Sequence, residues 1–216
     1  MTALRAQMNP HFIFNSLNAI QHFVTVRDKE EALNYLSKFS KLIRKILENS
    51  RENTVSLSNE LQLLELYIQL EQLRFDHKFD YHFDVDQKID LENTQIPPLL
   101  IQPYVENAIL HGLLNKDGKG DLWLSVQRNN GMLVCGIEDN GIGRTKAREI
   151  EQAKISKHRS LGIKVTDERI ATLSTLLDYK IDVTIEDLCE QKQTSADEDQ
   201  PLGTRVTITI PVKEDE

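Results

Sequence analysis

The chain has 216 residues, of which 39% are apolar and 28% charged, a composition typical of a soluble globular protein with one large domain or two small ones. Its formal net charge of -8 argues against nucleic acid or an anionic membrane as the main partner, because both attract an excess of Lys and Arg. The two cysteines, Cys135 in a predicted strand and Cys189 in a predicted polar loop, indicate neither a disulfide framework nor a zinc site, and they favour a reducing, cytosolic setting.

Residues 1–50 are predicted to form two helices joined by a turn at Arg27 and Asp28. Apolar residues recur along them at heptad-like spacing, namely Ile13, Leu17, Ile20 and Val24 on the first and Leu36, Phe39, Ile43 and Ile46 on the second. A two-helix hairpin cannot cover both seams by itself, whereas a second copy would complete a four-helix bundle. We therefore predict a homodimer formed through the N-terminal helices.

A neutral polar stripe lies beside the apolar seam of the first helix. It consists of Gln7, His11, Asn15, Asn18 and His22. Pro10 removes a backbone donor just before His11 and is expected to bend or loosen the helix there. The stripe is either a solvated face with an incidental histidine or a rigid support for an exposed nucleophile at His11.

A third helix is predicted from Asn53 to Phe75, with Ser56 or Ser58 as its N-cap. From Asp80 onward the apolar period changes to two, which predicts a half-buried strand. The predicted domains are therefore a helical dimerisation region, 1–54, and a second domain, 55–216, that begins with the connecting helix.

A further helix is predicted from Leu99 to Leu114, with Pro103 marking a break or the start of its regular part. Glu106, Asn107 and His111 stand out from their apolar neighbours. They are either the ordinary polar side of a helix in a small domain or part of a binding site.

Four more strands follow from alternating apolar residues. Their predicted spans are Leu122–Gln127, Met132–Ile137, Ile181–Ile185 and Val206–Ile210. Asn130 and Gly131 predict a hairpin turn between the first two, and Asp187–Pro201 is interpreted as a solvated loop without function. Five one-sided strands and three helices predict an α+β protein, in which an N-terminal helical hairpin precedes a two-layer α/β sandwich.

The segment Glu138–Gly143, EDNGIG, directly follows one of these strands. Asp139 falls at the strand end, where its carboxylate can accept a hydrogen bond from an exocyclic amine, and Gly141 and Gly143 would let the backbone approach a flat ring. On its own, however, DNG is better explained as an ordinary turn.

A basic segment follows, with six Lys or Arg against two acids between Arg144 and Arg159. This local positive excess in an acidic chain suits phosphate, and the segment lacks periodicity, so we predict a mobile lid over a triphosphate. A helix is then predicted from Gly162 to Leu177, and its first-turn amides could bind an oxyanion.

Two stretches resemble a known family. Leu4–Ile20, LRAQMNPHFIFNSLNAI, resembles the phosphoacceptor region of the LytS-type sensor histidine kinases, and PPLLIQPYVENAILHG, Pro97–Gly112, is similar to their N box. The resemblance implies that His11 is autophosphorylated, that Asn107 coordinates Mg²⁺ bridging the triphosphate of ATP, and that the second domain has the Bergerat, or GHKL, ATP-binding fold.

The resemblance also implies further contacts with the nucleotide. Asp139 would select adenine through its amino group, and the other predicted nucleotide-binding residues are His111, Gly141, Gly143, Gly162, Gly203 and Thr204. The chain departs from the family pattern at Leu110, where many relatives have a basic residue, and at Ser160 and Val165 in the family's GxGLxN.

The implied reaction is transfer of the γ-phosphoryl group of ATP to His11 and then to an aspartate of a response-regulator receiver domain. A catalytically degenerate module that binds ATP, dimerises and signals by shape is the alternative, favoured by the three departures, although the retained motif residues favour catalysis more. A plain ATPase is disfavoured because Pro103 occupies the position of the general-base glutamate in ATP-hydrolysing members of the fold. The base for His11 is not identified, since the next residue is Phe12.

No segment approaches the roughly 18 uninterrupted apolar residues of a membrane-spanning helix, and the N-terminus lacks a signal-peptide layout. Members of the family generally carry an N-terminal sensor, often with spanning helices, whereas Met1 lies only ten residues before His11. We therefore expect the chain to be the cytoplasmic portion of a longer bacterial plasma-membrane protein.

Overall fold

The computed structural model describes residues 10–26, 29–153, 170, 180–189 and 201–212. In chain order its elements are α1 (Pro10–Val26), α2 (Lys29–Asn49), β1 (Val55–Ser56), α3 (Leu57–Arg74), β2 (Phe79–Val85), β3 (Gln95–Ile96), α4 (Gln102–Asn107), a π-helical segment (Ala108–Gly112), a 3₁₀ turn (Leu113–Asn115), β4 (Gly120–Asn129), β5 (Met132–Asp139), α5 (Gly143–Ala153), β6 (Asp182–Cys189) and β7 (Pro201–Pro211).

The chain divides into two compact units. Unit 1 comprises Met1–His77 and Leu91–Leu99, and unit 2 comprises Lys78–Asp90 and Leu100–Glu216. Helix α3 therefore packs with the N-terminal helices, whereas the sequence had assigned it to the second domain as a connecting helix.

Helix α3 provides most of the core of unit 1. Its buried apolar residues are Leu57, Leu63, Leu64, Tyr67, Ile68 and Leu70. The helix begins later than predicted because Val55 and Ser56 form β1, which pairs antiparallel with β3. Ser56 is the N-cap, as predicted, and its hydroxyl accepts a hydrogen bond from Asn59 N at 3.2 Å.

Two glutamates of α3 are fully buried, and each has a partner. Glu60 Oε2 accepts a hydrogen bond from the backbone N–H of Leu99 at 2.9 Å, and both carboxylate oxygens of Glu71 lie 3.1 Å from Arg74 Nη1. Buried charges are stable only with such partners.

The N-terminal helices have the predicted positions, although the predicted turn at Arg27 and Asp28 lies outside the described residues. Helix α1 buries Phe12, Ser16 and Phe23, and rings of Phe12 and Tyr67 lie 5.3 Å apart. The predicted apolar seam of α1 faces away from the core of unit 1, since Leu17 is 50% exposed and Val24 is 67% exposed. As predicted, the hairpin does not cover this seam within one chain.

Unit 2 is built on a five-stranded mixed sheet with strand order β2-β4-β5-β7-β6. The β2–β4 pair is parallel and the other pairs are antiparallel. All five predicted strands are present, and the turn at Asn130 and Gly131 has positive φ angles of 49° and 74°, which suit a tight hairpin.

One face of this sheet is covered by helical segments, whereas the other is more exposed among the residues that the structure describes. The π-helical segment and α5 pack on β5 and β7, and alternate residues of β5 are buried from Leu133 to Asp139. On the opposite face Trp123 is 39% exposed. The predicted α+β class, with a two-layer sandwich after N-terminal helices, is confirmed.

Several predicted boundaries are wrong. The span 99–114 is not one helix, because Leu99 has a φ of 56°, α4 starts only at Gln102 with Pro103 in its first turn, and the chain then changes to π and 3₁₀ geometry. The predicted loop from Asp187 begins instead as the end of β6, where Asp187, Leu188 and Cys189 pair with β7.

The predicted aperiodic lid begins with a regular helix, α5. Its sequence consists mainly of strong helix formers such as Ala, Arg, Lys and Glu, so helix propensity predicts it although apolar residues are few. The remainder of the lid, 154–159, and most of the predicted helix 162–177 lie outside the described residues. Within the described ranges, no helix is both long and apolar enough to cross a membrane.

Candidate functional site

A cleft opens in unit 2 between the helical layer and one end of β5, β7 and β6. Its volume is about 890 Å³ when the open space at its mouth is included. Five of the predicted site residues line it, namely Asn107, His111, Asp139, Gly143 and Thr204. Residues from distant parts of the sequence therefore form one concave surface.

Asp139 is the buried acidic group of this cleft, and its side chain is only 3% exposed. Burial raises the pKa of Asp139 to about 6, an effect that the hydrogen bond from Gly141 N to Oδ1, at 2.8 Å, opposes. The charge of Glu138 adds to the increase and that of Lys116 opposes it. Asp139 is thus mainly ionised at neutral pH, and a carboxylate can accept more than the one hydrogen bond that Gly141 donates.

Two predicted glycines pack against Asp139 from outside the cleft lining. A Cβ atom at Gly141 would lie 2.4 Å from the carbonyl carbon of Gly112 and 2.6 Å from Asp139 Oδ1. Gly203 has a φ of 132°, and a Cβ atom there would lie 1.7 Å from the carbonyl oxygen of Asp139. Gly141 thus permits a close approach of the protein's own backbone, and it does not itself line the cleft.

Asn107 and His111 reach the cleft from the helical layer. Asn107 ends α4, and the wider turn of the π-helical segment carries His111. Such single π turns are frequent at functional sites. Asn107 is half-buried and offers a neutral carbonyl oxygen, whereas His111 is exposed.

The polar groups of the cleft suit a cation that is coordinated partly by the protein and partly by a bound substrate. No group of three or more His, Cys, Asp or Glu that could hold a metal ion occurs among the described residues. Mg²⁺ usually keeps several waters and binds through one or two protein oxygens together with substrate phosphates. The single amide of Asn107 beside an open cleft is compatible with that mode and not with a closed protein cage.

Sequence reasoning missed several residues of the cleft. Tyr104, Gly112, Arg144 and Arg148 all line it. Tyr104 and Gly112 lie within the N-box stretch Pro97–Gly112, so the motif could have identified them as site residues. Arg144 and Arg148 had been assigned to a lid, and their helical spacing was the overlooked evidence that they belong to the wall.

For two predicted site residues, the structure gives no position relative to the cleft. His11 lies in the first turn of α1, in unit 1. Gly162 lies outside the described residues.

Comparison with known proteins gives a consistent set of relatives. A family model described as "Histidine kinase" matches residues 1–79. The chain is 33% identical to the sensor protein LytS of Staphylococcus saprophyticus over 210 residues, which cover 97% of this chain and 33% of that protein. It is 34% identical to the sensor histidine kinase YpdA of Escherichia coli over 162 residues, which cover 72% of this chain and 28% of that protein.

Among solved structures, a mycobacterial sensor histidine kinase, MprB, aligns with a TM-score of 0.47 and 13% identity, over 74% of this chain and 97% of that chain. The sequence relatives are longer proteins, and the chain spans about a third of the length of the LytS relative.

Proposed function

This chain belongs to the LytS-type histidine kinases, and on that basis we propose that it transfers the γ-phosphoryl group of ATP to His11 and from there to an aspartate of a response-regulator receiver domain. The observation that carries the proposal is the convergence of Asn107, Asp139 and Thr204 on one cleft. The N box and the EDNGIG segment are separate in the sequence, and a nucleotide site requires them to meet.

The nucleotide base is assigned to the Asp139 side of the cleft. An ionised carboxylate that is almost fully buried accepts a hydrogen bond from the adenine amine without competition from water. Thr204, which pairs with Asp139 across β5 and β7, lies beside it. A base without that amine would leave a buried acceptor unsatisfied, which favours adenine over guanine.

The phosphates are assigned to the side formed by Asn107 and the second turn of α5. Asn107 is the residue that would hold Mg²⁺, whose chemistry when bound is to offset the negative charge of the phosphates. Arg148 lines the same cleft and adds positive charge. Phosphoryl transfer depends mainly on such positioning and charge stabilisation.

His11 is the proposed acceptor. A ring nitrogen of His11 would form the new bond to the γ-phosphorus while the bond to the β–γ bridging oxygen breaks and ADP leaves. Phe12 is buried and cannot accept the imidazole proton, and Asn15 can orient a ring but is not a base. Unit 1 thus supplies the acceptor and unit 2 the donor.

The acceptor helices are proposed to dimerise. Large apolar side chains are exposed on both helices of the hairpin, namely Phe14, Leu17 and Val24 on α1 and Leu33, Leu36 and Leu47 on α2. A second copy of the hairpin would cover them in a four-helix bundle. The location of the chain on the cytoplasmic side of a membrane stays a prediction.

A degenerate ATP-binding module is the second candidate, because Leu110 on the π-helical segment supplies no charge where many relatives have a basic residue. Incubation with γ-labelled ATP and Mg²⁺ discriminates. We expect acid-labile label on the wild-type chain and on His22→Gln, which changes an exposed histidine of the same helix, but none on His11→Gln. Nucleotide binding without any label would favour the degenerate module, and phosphate release that survives His11→Gln would favour an ATPase.

A further inference from the structure

Arg144 and Asp187 form a two-point ion pair at the edge of the cleft, joining the first turn of α5 to β6. Arg144 Nε donates to Asp187 Oδ1 at 3.0 Å, and Arg144 Nη2 donates to Oδ2 at 2.9 Å. The backbone N–H of Arg144 also points to Oδ1, at 3.4 Å. Two parallel hydrogen bonds fix the orientation of a guanidinium group, which a single contact does not.

The strand register relates this pair to Asp139. Thr204 of β7 pairs with Asp139 of β5 on one side and with Asp187 of β6 on the other. Asp139 and Asp187 therefore lie two strands apart, or roughly 10 Å at the usual spacing of strands. A purine bound at Asp139 and lying over Thr204 would have Arg144 at its far side.

The ion pair with Asp187 changes how Arg144 can contribute to ligand binding. The guanidinium lowers the pKa of Asp187 below its ordinary value, so the carboxylate stays ionised and cancels the charge of Arg144 at neutral pH. The pair uses two of the five N–H donors of Arg144 and leaves the others for a ligand. An oriented group with little net charge suits directional contact with a neutral ligand better than attraction of phosphate.

Arg148 provides the contrast. It lies one turn further along α5 and lines the same cleft, but no salt bridge to it is found in the part of the chain that the structure describes. Its charge also helps to lower the pKa of Asp187, but less than that of Arg144, so it is less neutralised.

We propose that Arg144 contacts the adenosine part of the bound nucleotide and that Asp187 is the positioning residue that orients it. This assignment rests on the proposed nucleotide site and adds to it a specificity contact supplied by β6.

Calorimetric titration of the whole chain with ADP and with ATP in the presence of Mg²⁺ tests the assignment. Arg144→Ala and Asp187→Asn are expected to weaken both nucleotides by the same factor, about five- to tenfold. The double variant should be no weaker than Arg144→Ala, because Asp187 acts through Arg144. Arg148→Ala should instead weaken ATP more than ADP, because its charge acts on the phosphates.

Two further variants test whether the orientation of Arg144, and not its charge or the general stability of the chain, determines nucleotide affinity. Arg144→Lys keeps the charge but not the two-point pairing, so its affinities should be close to those of Arg144→Ala. Lys119→Ala breaks an exposed ion pair with Asp80 that does not line the cleft, and it should bind like the wild type.

Wild-type affinity in Asp187→Asn or in Arg144→Lys would overturn the positioning role. A loss confined to ATP in Arg144→Ala would make Arg144 a phosphate contact and would also overturn the proposal. A wild-type chain that binds neither nucleotide would overturn the proposed function, and this inference with it.

Discussion

At the scale of single residues, Asp139 combines a cost in stability with a gain in recognition. It lies at the end of β5 on the covered face of the sheet, in the alternation that buries Leu133, Cys135 and Ile137. An apolar residue at this position would be expected from packing alone. A carboxylate whose pKa is displaced by burial at the wall of a cleft is a common mark of a functional site.

Asp139→Asn is expected to stabilise the ligand-free protein at neutral pH. Burial raises the pKa of Asp139 from 3.8 to about 6, so between these values the folded chain keeps a proton that the unfolded chain has released. Relative to neutral pH, protonated Asp139 adds roughly 3 kcal/mol to the free energy of unfolding. This contribution is fully present below pH ~4 and is lost as the pH rises to about 6. Urea unfolding should show the variant more stable than wild type at pH 7.5, with a smaller difference at pH 4.5. An equal difference at both pH values would contradict the explanation.

Gly203→Ala is expected to destabilise unit 2 strongly. A Cβ atom at Gly203 would overlap the carbonyl oxygen of Asp139, and the φ of 132° is unfavourable for any other residue. Gly118→Ala is the matched control, because Gly118 also has a positive φ, of 78°, but has no atom within 4 Å of the added methyl group. We expect a cost of about 1–2 kcal/mol for the control and at least twice that for Gly203→Ala in thermal unfolding. Equal costs would mean that the clash with Asp139 is relieved easily.

At the scale of elements, α1 carries two apolar stripes with different roles. The stripe containing Phe12 and Phe23 is buried within unit 1 and includes the polar Ser16. The second, containing Leu17 and Val24, has the heptad-like spacing but is exposed. A helix that is apolar on two sides needs two partners, and α2 with α3 supplies only one of them.

Leu17→Asp is therefore expected to disrupt the dimer while leaving unit 1 folded. A carboxylate in the apolar interface would be desolvated without a partner, so the dissociation constant should rise at least about a hundredfold. Asn18→Asp introduces the same charge at an exposed neighbouring position and should leave the dimer intact. Sedimentation equilibrium measures both variants. A dimer unaffected by Leu17→Asp would place the interface elsewhere.

At the scale of the whole molecule, the division into two units separates the proposed acceptor from the nucleotide cleft. His11 belongs to unit 1, and every residue that lines the cleft belongs to unit 2. Nucleotide binding and phosphoryl acceptance should accordingly be separable by mutation.

His11→Gln is expected to bind ATP within about twofold of wild type, whereas Asp139→Asn should weaken ATP about tenfold to a hundredfold, because it replaces a charged hydrogen-bond acceptor by a neutral one. Calorimetric titration with ATP and Mg²⁺ compares the two variants. A large loss of ATP affinity in His11→Gln would mean that His11 also contributes to nucleotide binding before any phosphoryl transfer.

The sequence by itself determined the features that depend on neighbouring residues. Alternating apolar residues located all five strands of the main sheet, Ser56 was among the predicted caps, and Asn130 and Gly131 marked the hairpin. Local motifs also predicted Asn107, Asp139 and Thr204 as site residues, and these residues do line one cleft. Such features are encoded locally, because period, capping and turn geometry depend on a few consecutive side chains.

Only the tertiary structure decided the features that depend on partners distant in the chain. Helix α5 has few apolar residues, and its sequence predicted an aperiodic lid. Its Arg144 meets Asp187 across 43 positions of sequence, and Asp187 had been predicted to begin a loop. The sequence could not reveal which stripe of α1 is buried, since both stripes are apolar. Burial and ion pairing are properties of the surroundings of a residue, and strand pairing and helix packing establish those surroundings only when the chain has folded.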